Sequence, residues 1–216
     1  MKFFMRLLIV AVMFTLAAET HAQTYGLRAG LNMANMLIKD NDDTYSDDFK
    51  MNPGFHIGPT AELPLNDFLS VEAALLLSTK GFSFSDDYEG LEMKAKANLL
   101  YIDLPVTAKA SYDLNGIKIY GELGPYVGMG LTGKYKSKIS YEGESETDTE
   151  SVEWGSDDDS DLKRLDFGVV IGAGVQIESI LVGLNYGLGL ANVGTTSDDG
   201  YKENHRVLSL TVGYKF

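Results

Sequence analysis

The stretch His205–Phe216, HRVLSLTVGYKF, alternates apolar and polar side chains up to its last residue. The apolar and aromatic side chains fall at every second position: Leu208, Leu210, Val212, Tyr214 and Phe216. This is the period of a β-strand with one apolar face. In a water-soluble protein that face would cover a core, whereas in a transmembrane barrel it would meet lipid. One strand is compatible with both, so the rest of the chain has to decide.

Seven earlier stretches show the same alternation. They are Tyr25–Met33, Phe55–Leu63, Leu69–Leu77, Leu100–Ala110, Ile117–Leu131, Leu165–Ile177 and Val182–Ala191. Several are longer than the usual strand of about 5–6 residues and approach the roughly 9–11 residues that cross a bilayer at a tilt. The sequence therefore predicts eight strands of membrane-spanning length.

The connections between these stretches alternate between long and short. The short ones lie around 64–67, at 111–116 with its Asn115-Gly116 hairpin signal, and at 178–179; the long ones are 34–54, 78–98, 132–163 and 192–204. Outer-membrane barrels have short periplasmic turns and longer extracellular loops. The pattern predicts an all-β fold, an eight-stranded antiparallel up-and-down transmembrane barrel with this asymmetry.

A soluble lipocalin-like barrel is the minor alternative, because it also has eight strands and follows a signal peptide. Its apolar faces would point inward, and its glycine-rich faces would be exposed to water. Runs such as Gly168, Gly172 and Gly174 are unusual for a wet face. Glycine facing a narrow lumen makes room for large neighbours, which favours the membrane barrel.

Residues 1–22 have the features of a cleaved signal peptide: Lys2 and Arg6, an apolar run, and a small-residue end at Ala22. Residues 23–216 are then the barrel domain of an exported protein. Cleavage removes two positive residues and one negative residue, so the formal net charge of −13 becomes −14. Such acidity argues against binding to nucleic acid and against polybasic binding to anionic lipid. The absence of cysteine excludes disulfides and thiol chemistry.

Three segments resemble a known family. Tyr101–Val106, YIDLPV, resembles a segment of the PorT-like outer-membrane β-barrel family of Bacteroidetes-type Gram-negative bacteria. Tyr25–Asn32 is similar to the first strand of that family, and Gly213–Phe216 to its last strand. The resemblance implies an eight-stranded barrel in the outer membrane, but no particular activity. It also implies that Tyr214 and Phe216 carry the signal recognised by the barrel insertion machinery.

Eight ionisable side chains are predicted to face the lumen: Arg28, Glu62, Glu72, Asp103, Lys109, Lys118, Glu122 and Asp166. Charges in a narrow space of low dielectric constant must pair or stay hydrated. An eight-stranded barrel is just wide enough for side chains to fill it. We therefore expect a polar network that fills the lumen, as in OmpA- and OmpX-type small barrels. A narrow porin-like channel for small solutes is the alternative.

The third long loop is acidic, with ten Asp and Glu residues and no Lys or Arg between Ser140 and Leu162. Asp157, Asp158, Asp159 and Asp161 are weak candidates for a Ca²⁺ site, because their spacing matches no EF-hand. Divalent ions that bridge these carboxylates to lipopolysaccharide phosphates are a further hypothesis. The expected partners are outer-membrane lipid and lipopolysaccharide, with a surface partner held by loops 34–54 and 132–163.

Catalytic motifs do not stand out in this sequence. There is no G-x-S-x-G, H-E-x-x-H or glycine-rich phosphate loop in a suitable context, and only His56 and His205 remain after processing. We expect neither an enzyme nor a cofactor. The sequence thus predicts an outer-membrane protein that acts through its acidic extracellular loops in surface interaction or envelope support.

Overall fold

The computed structural model describes residues 23–39, 49–88, 91–141, 144–157, 159–195 and 200–216. The signal-peptide prediction for residues 1–22 lies outside these ranges. The strands are β1 Thr24–Lys39, β2 Phe49–Lys50, β3 Asn52–Pro64, β4 Leu69–Ala74, β5 Leu76–Tyr88, β6 Leu91–Leu114, β7 Ile117–Tyr141, β8 Glu144–Ser151, β9 Leu165–Ile177, β10 Ile180–Gly189 and β11 Lys202–Lys215. Within the described ranges, no helix is long and apolar enough to cross a bilayer.

The strands form one antiparallel sheet that closes on itself. The first and last strands pair along their length, with Leu31 opposite Leu210. The ring then runs β1-β3-β4/β5-β6-β7-β9-β10-β11, so it has eight walls, while β2 and β8 flank the loop ends of β5 and β7. The predicted eight-stranded antiparallel barrel is confirmed.

β4 and β5 are one wall, interrupted only at Leu75. The register is unchanged across this residue on both sides, and the Leu75 N–H still donates to the Pro59 carbonyl over 3.0 Å. Pro59 cannot return that bond, and Pro105, opposite Ala74 in the continued register, has no N–H either. Two prolines in the flanking strands therefore account for the local gap in the ladder.

Short turns close one end of the barrel. In the β6–β7 turn both Asn115 and Gly116 have positive φ angles, of 54° and 95°, as a type I′ hairpin turn requires. The Asp113 carboxylate accepts a hydrogen bond from the Gly116 N–H at 2.9 Å. This confirms the Asn-Gly hairpin that the sequence predicts.

At the other end the strands continue far past their predicted limits. β6 has 24 residues and β7 has 25, and β8 adds a further strand beside β7. The expected loops 78–98 and 132–163 are therefore largely strand, because their side chains pair across the sheet despite their polarity. The register between β6 and β7 shifts at Leu100/Tyr101, where β7 has one additional residue and the extended part of the sheet begins.

The apolar faces of the walls point outward. Leu31, Ile171 and Leu184 are each more than half exposed, at 63%, 57% and 56%. A band of this kind is what a transmembrane barrel presents to lipid. The lipocalin-like alternative is therefore wrong, since it needs these residues inside.

Glycines on the inner face leave room for two large aromatic side chains. A Cβ atom on Gly174 would lie 2.5 Å from the Tyr120 hydroxyl, and one on Gly168 would lie 2.7 Å from the Tyr126 ring. Tyr120 and Tyr126 are both buried in the lumen. The glycine-rich faces thus let side chains fill a barrel of this width.

Candidate functional site

The lumen near the short turns contains a balanced group of charges, which we name the lower cluster. It consists of three cations and three carboxylates: Arg28, Lys109, Lys215, Glu62, Glu72 and Glu122. Arg28 is at its centre, 2.6 Å from Glu72 and bonded by both terminal nitrogens to Glu122 at 3.2 Å. This two-pronged geometry is the favoured way for a guanidinium to hold a carboxylate.

Lysines extend the lower cluster to the rim of the barrel. Lys109 lies 3.3 Å from both Glu62 and Glu72, and its ammonium lies 4.4 Å from the centre of the Tyr120 ring. Lys215 lies 2.6 Å from Glu62. The sequence analysis did not identify Lys215, although its position between outward-facing Tyr214 and Phe216 directs its side chain into the lumen.

Lys118 departs from the expected network. Its side chain is exposed, in the first residues of β7 next to the turn. Its register partners are Asp113 on β6 and Gln176 on β9, close to where the strands leave the barrel. The alternating pattern shows whether a side chain points inward or outward, but not how far along the barrel axis it lies. For this reason the sequence analysis placed Lys118 in the lumen.

An upper cluster lies further into the barrel and contains a cation that the sequence analysis did not identify. The Lys80 ammonium is 2.8 Å from a carboxylate oxygen of Asp103 and 2.8 Å from one of Asp166. Tyr126 donates its hydroxyl proton to Asp166 at 3.0 Å, and Lys80 also lies over the rings of Tyr101 and Tyr126, 4.6 Å from each centre. Two buried carboxylates thus share one buried ammonium.

The sequence did hold a signal for Lys80. Even-numbered positions from Ser70 to Lys80 face inward without a break, because the register continues across Leu75. Leu76 is one of them and lines the lumen despite being apolar. In the sequence Leu76 interrupts the alternation and the predicted strand ends at Leu77, which leaves Lys80 in a predicted loop.

Neutral polar side chains connect the middle of the lumen to the lower cluster. Asn32 accepts hydrogen bonds through its side-chain oxygen from Ser209 and, at 2.8 Å, pairs with His56 Nδ1. His56 Nε2 lies 3.2 Å from the Thr211 hydroxyl, which donates to Asn185. Asn185 in turn donates to Glu122. The lumen is therefore one nearly continuous polar network.

The order Thr211–His56–Asn32 has the connectivity of a nucleophile, a base and an orienting group. Its surroundings differ from those of a catalytic site. The Thr211 hydroxyl already donates its proton to Asn185, and all three side chains are buried. They face an internal cavity of about 90 Å³, which can hold water but no lipid or peptide. We assign this series of three hydrogen-bonded side chains a structural role.

That cavity separates the two charged clusters. Arg28, Glu72 and Glu122 line it from below, and Lys80 and Asp103 from above. Apolar groups such as Leu76 and Val207 also contribute to its wall. The lumen therefore holds a small polar chamber between two sets of paired charges.

An apolar cap lies over the upper cluster. It is formed by segment 152–164, of which residue 158 is not described, together with segment 190–195 and inward side chains of β1 and β6. Its buried core is Met36, Ile38, Leu99, Tyr101, Val152, Leu162, Ala191 and Val193. Since such a core excludes water, it covers the lumen on the side of the long connections.

Trp154 belongs to this cap. Its ring packs edge-to-face on Tyr101, with 5.6 Å between centres, and lies against Gly130, where a Cβ atom would clash with it. Arg164 lies 5.7 Å from the same ring. The Tyr101 hydroxyl continues the contact inward to His205 Nε2 at 3.2 Å.

Hydrogen bonds connect the two segments of the cap to each other and to the barrel. The backbone N–H of Lys163 donates to the Val193 carbonyl at 2.8 Å, and the Val193 N–H donates to the Glu203 backbone carbonyl at 2.9 Å. The Gly130 N–H donates to the Arg164 carbonyl at 2.7 Å. Burial raises the pKa of the Glu203 carboxyl, which lies beyond the apolar band, and the hydrogen bond from Tyr201 opposes this shift.

Beyond the barrel rim, β2, the outer parts of β5–β7, and β8 form an open sheet that we name the extension. On β8 the acidic residues Glu144, Glu146, Asp148 and Glu150 alternate with hydroxyl residues. The hydroxyl residues lie opposite lysines of β7, for example Thr149 opposite Lys136. The acidic and basic side chains therefore occupy opposite faces of one sheet.

Among the described residues, the weak metal candidates form no metal-binding group. Asp157 and Asp159 are exposed, and the Asp161 carboxylate accepts a hydrogen bond from the Glu153 N–H at 2.8 Å. Asp158 lies outside the described residues. In the part of the chain that the structure describes, no three His, Cys, Asp or Glu side chains form a group that could hold a metal ion. The Ca²⁺ site stays a prediction.

The C-terminal aromatics are on the outer wall. Tyr214 and Phe216 are 51% and 75% exposed and pack edge-to-face with 5.5 Å between ring centres. The Phe216 N–H donates to the Tyr25 carbonyl at 2.8 Å, which joins the last residue to the first strand. Both rings are thus accessible from outside the barrel.

Comparison with known families assigns the chain. Residues 19–194 match the family described as outer membrane protein beta-barrel domain. The chain belongs to this family. Its location is accordingly the outer membrane of a Gram-negative bacterium, and the exposed apolar band of this outer-membrane barrel faces lipid.

Solved structures that are similar to this family member are also outer-membrane proteins. The attachment invasion locus protein Ail of Yersinia pestis is 19% identical, with 91% of this chain and 100% of that chain covered and a TM-score of 0.36. Neisserial surface protein A is 13% identical, with coverage of 90% and 99% and a TM-score of 0.38. Outer membrane protein W of E. coli is 14% identical, with coverage of 91% and 100% and a TM-score of 0.39. Similarities this distant carry no argument about function, and no curated protein matches the sequence.

Proposed function

We propose that this barrel is closed to solutes and acts through its outer parts, in surface interaction or envelope support. The observation that supports this is the filled lumen. Paired charges occupy it from the lower cluster to the upper cluster, and an apolar cap covers it. The chamber between the clusters is too small and too enclosed by these groups to act as a standing pore.

The outer parts offer two kinds of contact. The apolar band meets outer-membrane lipid, and Tyr214 and Phe216 at its edge carry the signal for the insertion machinery. The extension and the cap project past the band, and the extension presents charged side chains on both of its faces. No step in this proposal requires catalysis or a cofactor.

Conductance of the purified protein in planar bilayers tests the proposal. We expect no channel steps from the wild type, and none from Arg28→Gln, because the upper cluster and the cap remain in place. Regular steps in the wild type whose size changes in Arg28→Gln or Glu122→Gln would overturn the closed lumen. They would favour the narrow porin-like channel, for which the internal chamber is the supporting observation.

A further inference from the structure

On the outward face of the extension, where Lys50 of β2 lies opposite Ser83, β6 and β7 contribute five lysines that we name the lysine face. They are Lys94 and Lys96 on β6 and Lys134, Lys136 and Lys138 on β7. Their inward neighbours fix this orientation, because Ala97 and Leu99 on β6 are buried and Tyr135 on β7 packs on the cap core. The lysines therefore point to the same side as the lipid-facing residues below them.

The lysine face continues directly from the lipid-facing band. On β7, Lys134 follows outward-facing Leu131 by three residues, roughly 10 Å along the strand at about 3.3 Å per residue. A strand tilt of about 40° reduces the rise above the band to roughly 8 Å. The headgroup region on each side of a bilayer is about 5–8 Å thick. Lys134 thus lies at the level of lipid phosphates, and Lys136 and Lys138 lie above it.

The arrangement places like charges together. Lys94 is directly opposite Lys138, and Lys96 is directly opposite Lys136. Like charges in directly opposed positions destabilise a sheet. Two such pairs side by side concentrate positive charge on one face of a chain whose formal net charge is −13.

The acidic residues of the extension do not offset it. On β8 the acidic side chains lie on the opposite face, and the lysines are flanked instead by hydroxyl groups. These are Thr147 and Thr149 on β8, with Ser83 and Ser85 on β5. Among the described residues, the carboxylates on this face are Glu92, 2.5 Å from Lys94 at the outer tip, and Asp87, opposite Glu92 on β5. Ammonium and hydroxyl groups together form a surface that binds phosphate oxygens.

A groove at the base of the lysine face joins it to the band. Its volume is about 390 Å³; Phe55, Leu100 and Thr132 line its lower part, and Asn98 and Lys134 line its upper part. Phe55 is 45% exposed. The groove therefore presents an apolar floor and a polar, basic upper wall, which suits a molecule with an acyl chain and a charged head.

From these observations we propose that the lysine face binds the phosphate groups of an outer-leaflet glycolipid of the lipopolysaccharide class. Lysines at the headgroup level contact phosphates on the lipid portion, and those higher up contact anionic groups on the sugars. A phospholipid headgroup would reach only the lower lysines. This deepens the proposed function, since it names the partner of the extension, and it holds whether or not the lumen conducts.

Fluorescence anisotropy of labelled rough-type lipopolysaccharide tests the proposal, with the intact protein in neutral detergent and EDTA present. EDTA removes divalent bridges, so binding through acidic groups is not measured. We expect binding that weakens as salt rises, because salt screens exposed charges. Replacing all five lysines by Gln should weaken it by at least about tenfold, since each lysine near an anionic lipid surface contributes about 1 kcal/mol and tenfold needs 1.4 kcal/mol.

The matched control neutralises the other face of the same sheet. The variant Glu144→Gln, Glu146→Gln, Asp148→Asn and Glu150→Gln should bind at least as tightly as the wild type. A mobility shift on boiling would show that both variants are folded barrels. Chemically dephosphorylated lipopolysaccharide should bind the wild type weakly.

Three results would overturn the proposal. The first is undiminished binding by the folded five-lysine variant, and the second is equal binding of the dephosphorylated probe. The third is equal competition by phosphatidylglycerol, which would make the lysine face a general anionic-lipid surface. Because bilayer conductance is measured separately, failure of this proposal is distinguishable from failure of the closed-lumen proposal.

Discussion

The lumen and the extension contain the same residue types in the same β alternation, yet charges are buried and paired in the lumen and exposed beside like charges in the extension. In the lumen Lys80 is 3% exposed and shares its charge with Asp103 and Asp166. In the extension Lys136 is exposed and lies opposite another lysine. A closed ring brings the inner faces of all its walls together, so opposite charges from distant strands meet. An open sheet keeps its two faces apart, so its charges stay available to outside partners.

The largest expected effect is in the upper cluster of the lumen. Lys80→Met leaves two buried carboxylates without their ammonium, which should cost about 3–5 kcal/mol of unfolding free energy. The measurement is the urea dependence of the folded band on an unboiled gel. Adding Asp103→Asn and Asp166→Asn should recover much of the loss, because the unpaired charges are then gone. An unchanged midpoint in the single variant would contradict a buried, paired Lys80.

The second largest effect is expected in the cap, where a substitution should destabilise only this part of the molecule. Leu162 is 1% exposed, so Leu162→Ala removes buried apolar contacts and should cost about 2–3 kcal/mol, the lower part of the range for core truncations, since a small cap can relax. Limited proteolysis should then cut near residues 152–164 faster. The heat-shifted gel mobility of the barrel should persist. Loss of that shift would show that the cap and the barrel unfold together.

A smaller effect is expected from the pH dependence of the cap. Because burial raises the pKa of Glu203 above its unfolded value, ionising it opposes folding. The protonated carboxyl stabilises the cap fully at pH values below the pKa that Glu203 has in the unfolded chain. This stabilisation is lost as the pH rises through the pKa of Glu203 in the folded protein. Glu203→Gln should therefore make the cap more resistant to protease at neutral pH and flatten the pH dependence between mildly acidic and neutral conditions. The same pH dependence in wild type and variant would contradict this assignment.

The smallest effect on stability is expected in the extension. Lys136→Gln removes an exposed charge that faces another lysine, so the unfolding free energy should change by no more than about 0.5 kcal/mol. The same urea titration measures it, with Lys118→Gln at the other end of the barrel as a control for charge removal. A loss comparable to that of Lys80→Met would mean that the lysine face is part of the folded core.

Alternation along each strand was enough to predict the ring and most of its inward charges. Arg28, Glu72, Lys109, Glu122, Asp103 and Asp166 are all buried. The prediction failed where height or continuity mattered. The alternation directs Lys118 inward, but Lys118 lies at the end of the barrel and is exposed. Lys80 was missed because the predicted strand, with its alternation interrupted at Leu76, ended at Leu77. Trp154 shows a third limit, since its partner Tyr101 is distant in sequence and only the fold joins them.

The sequence by itself determined the strand period, the alternation of short and long connections, and the outward direction of the apolar faces. The first two are patterns of neighbouring residues along strands and turns, and the third follows from the glycine-rich opposite faces of several strands taken together. The tertiary structure decided which charges pair, that the acidic segment forms β8 and an apolar cap, and that five lysines share one outward face above the lipid band. Those features depend on register between strands and on the curvature of the closed sheet, which no single strand encodes.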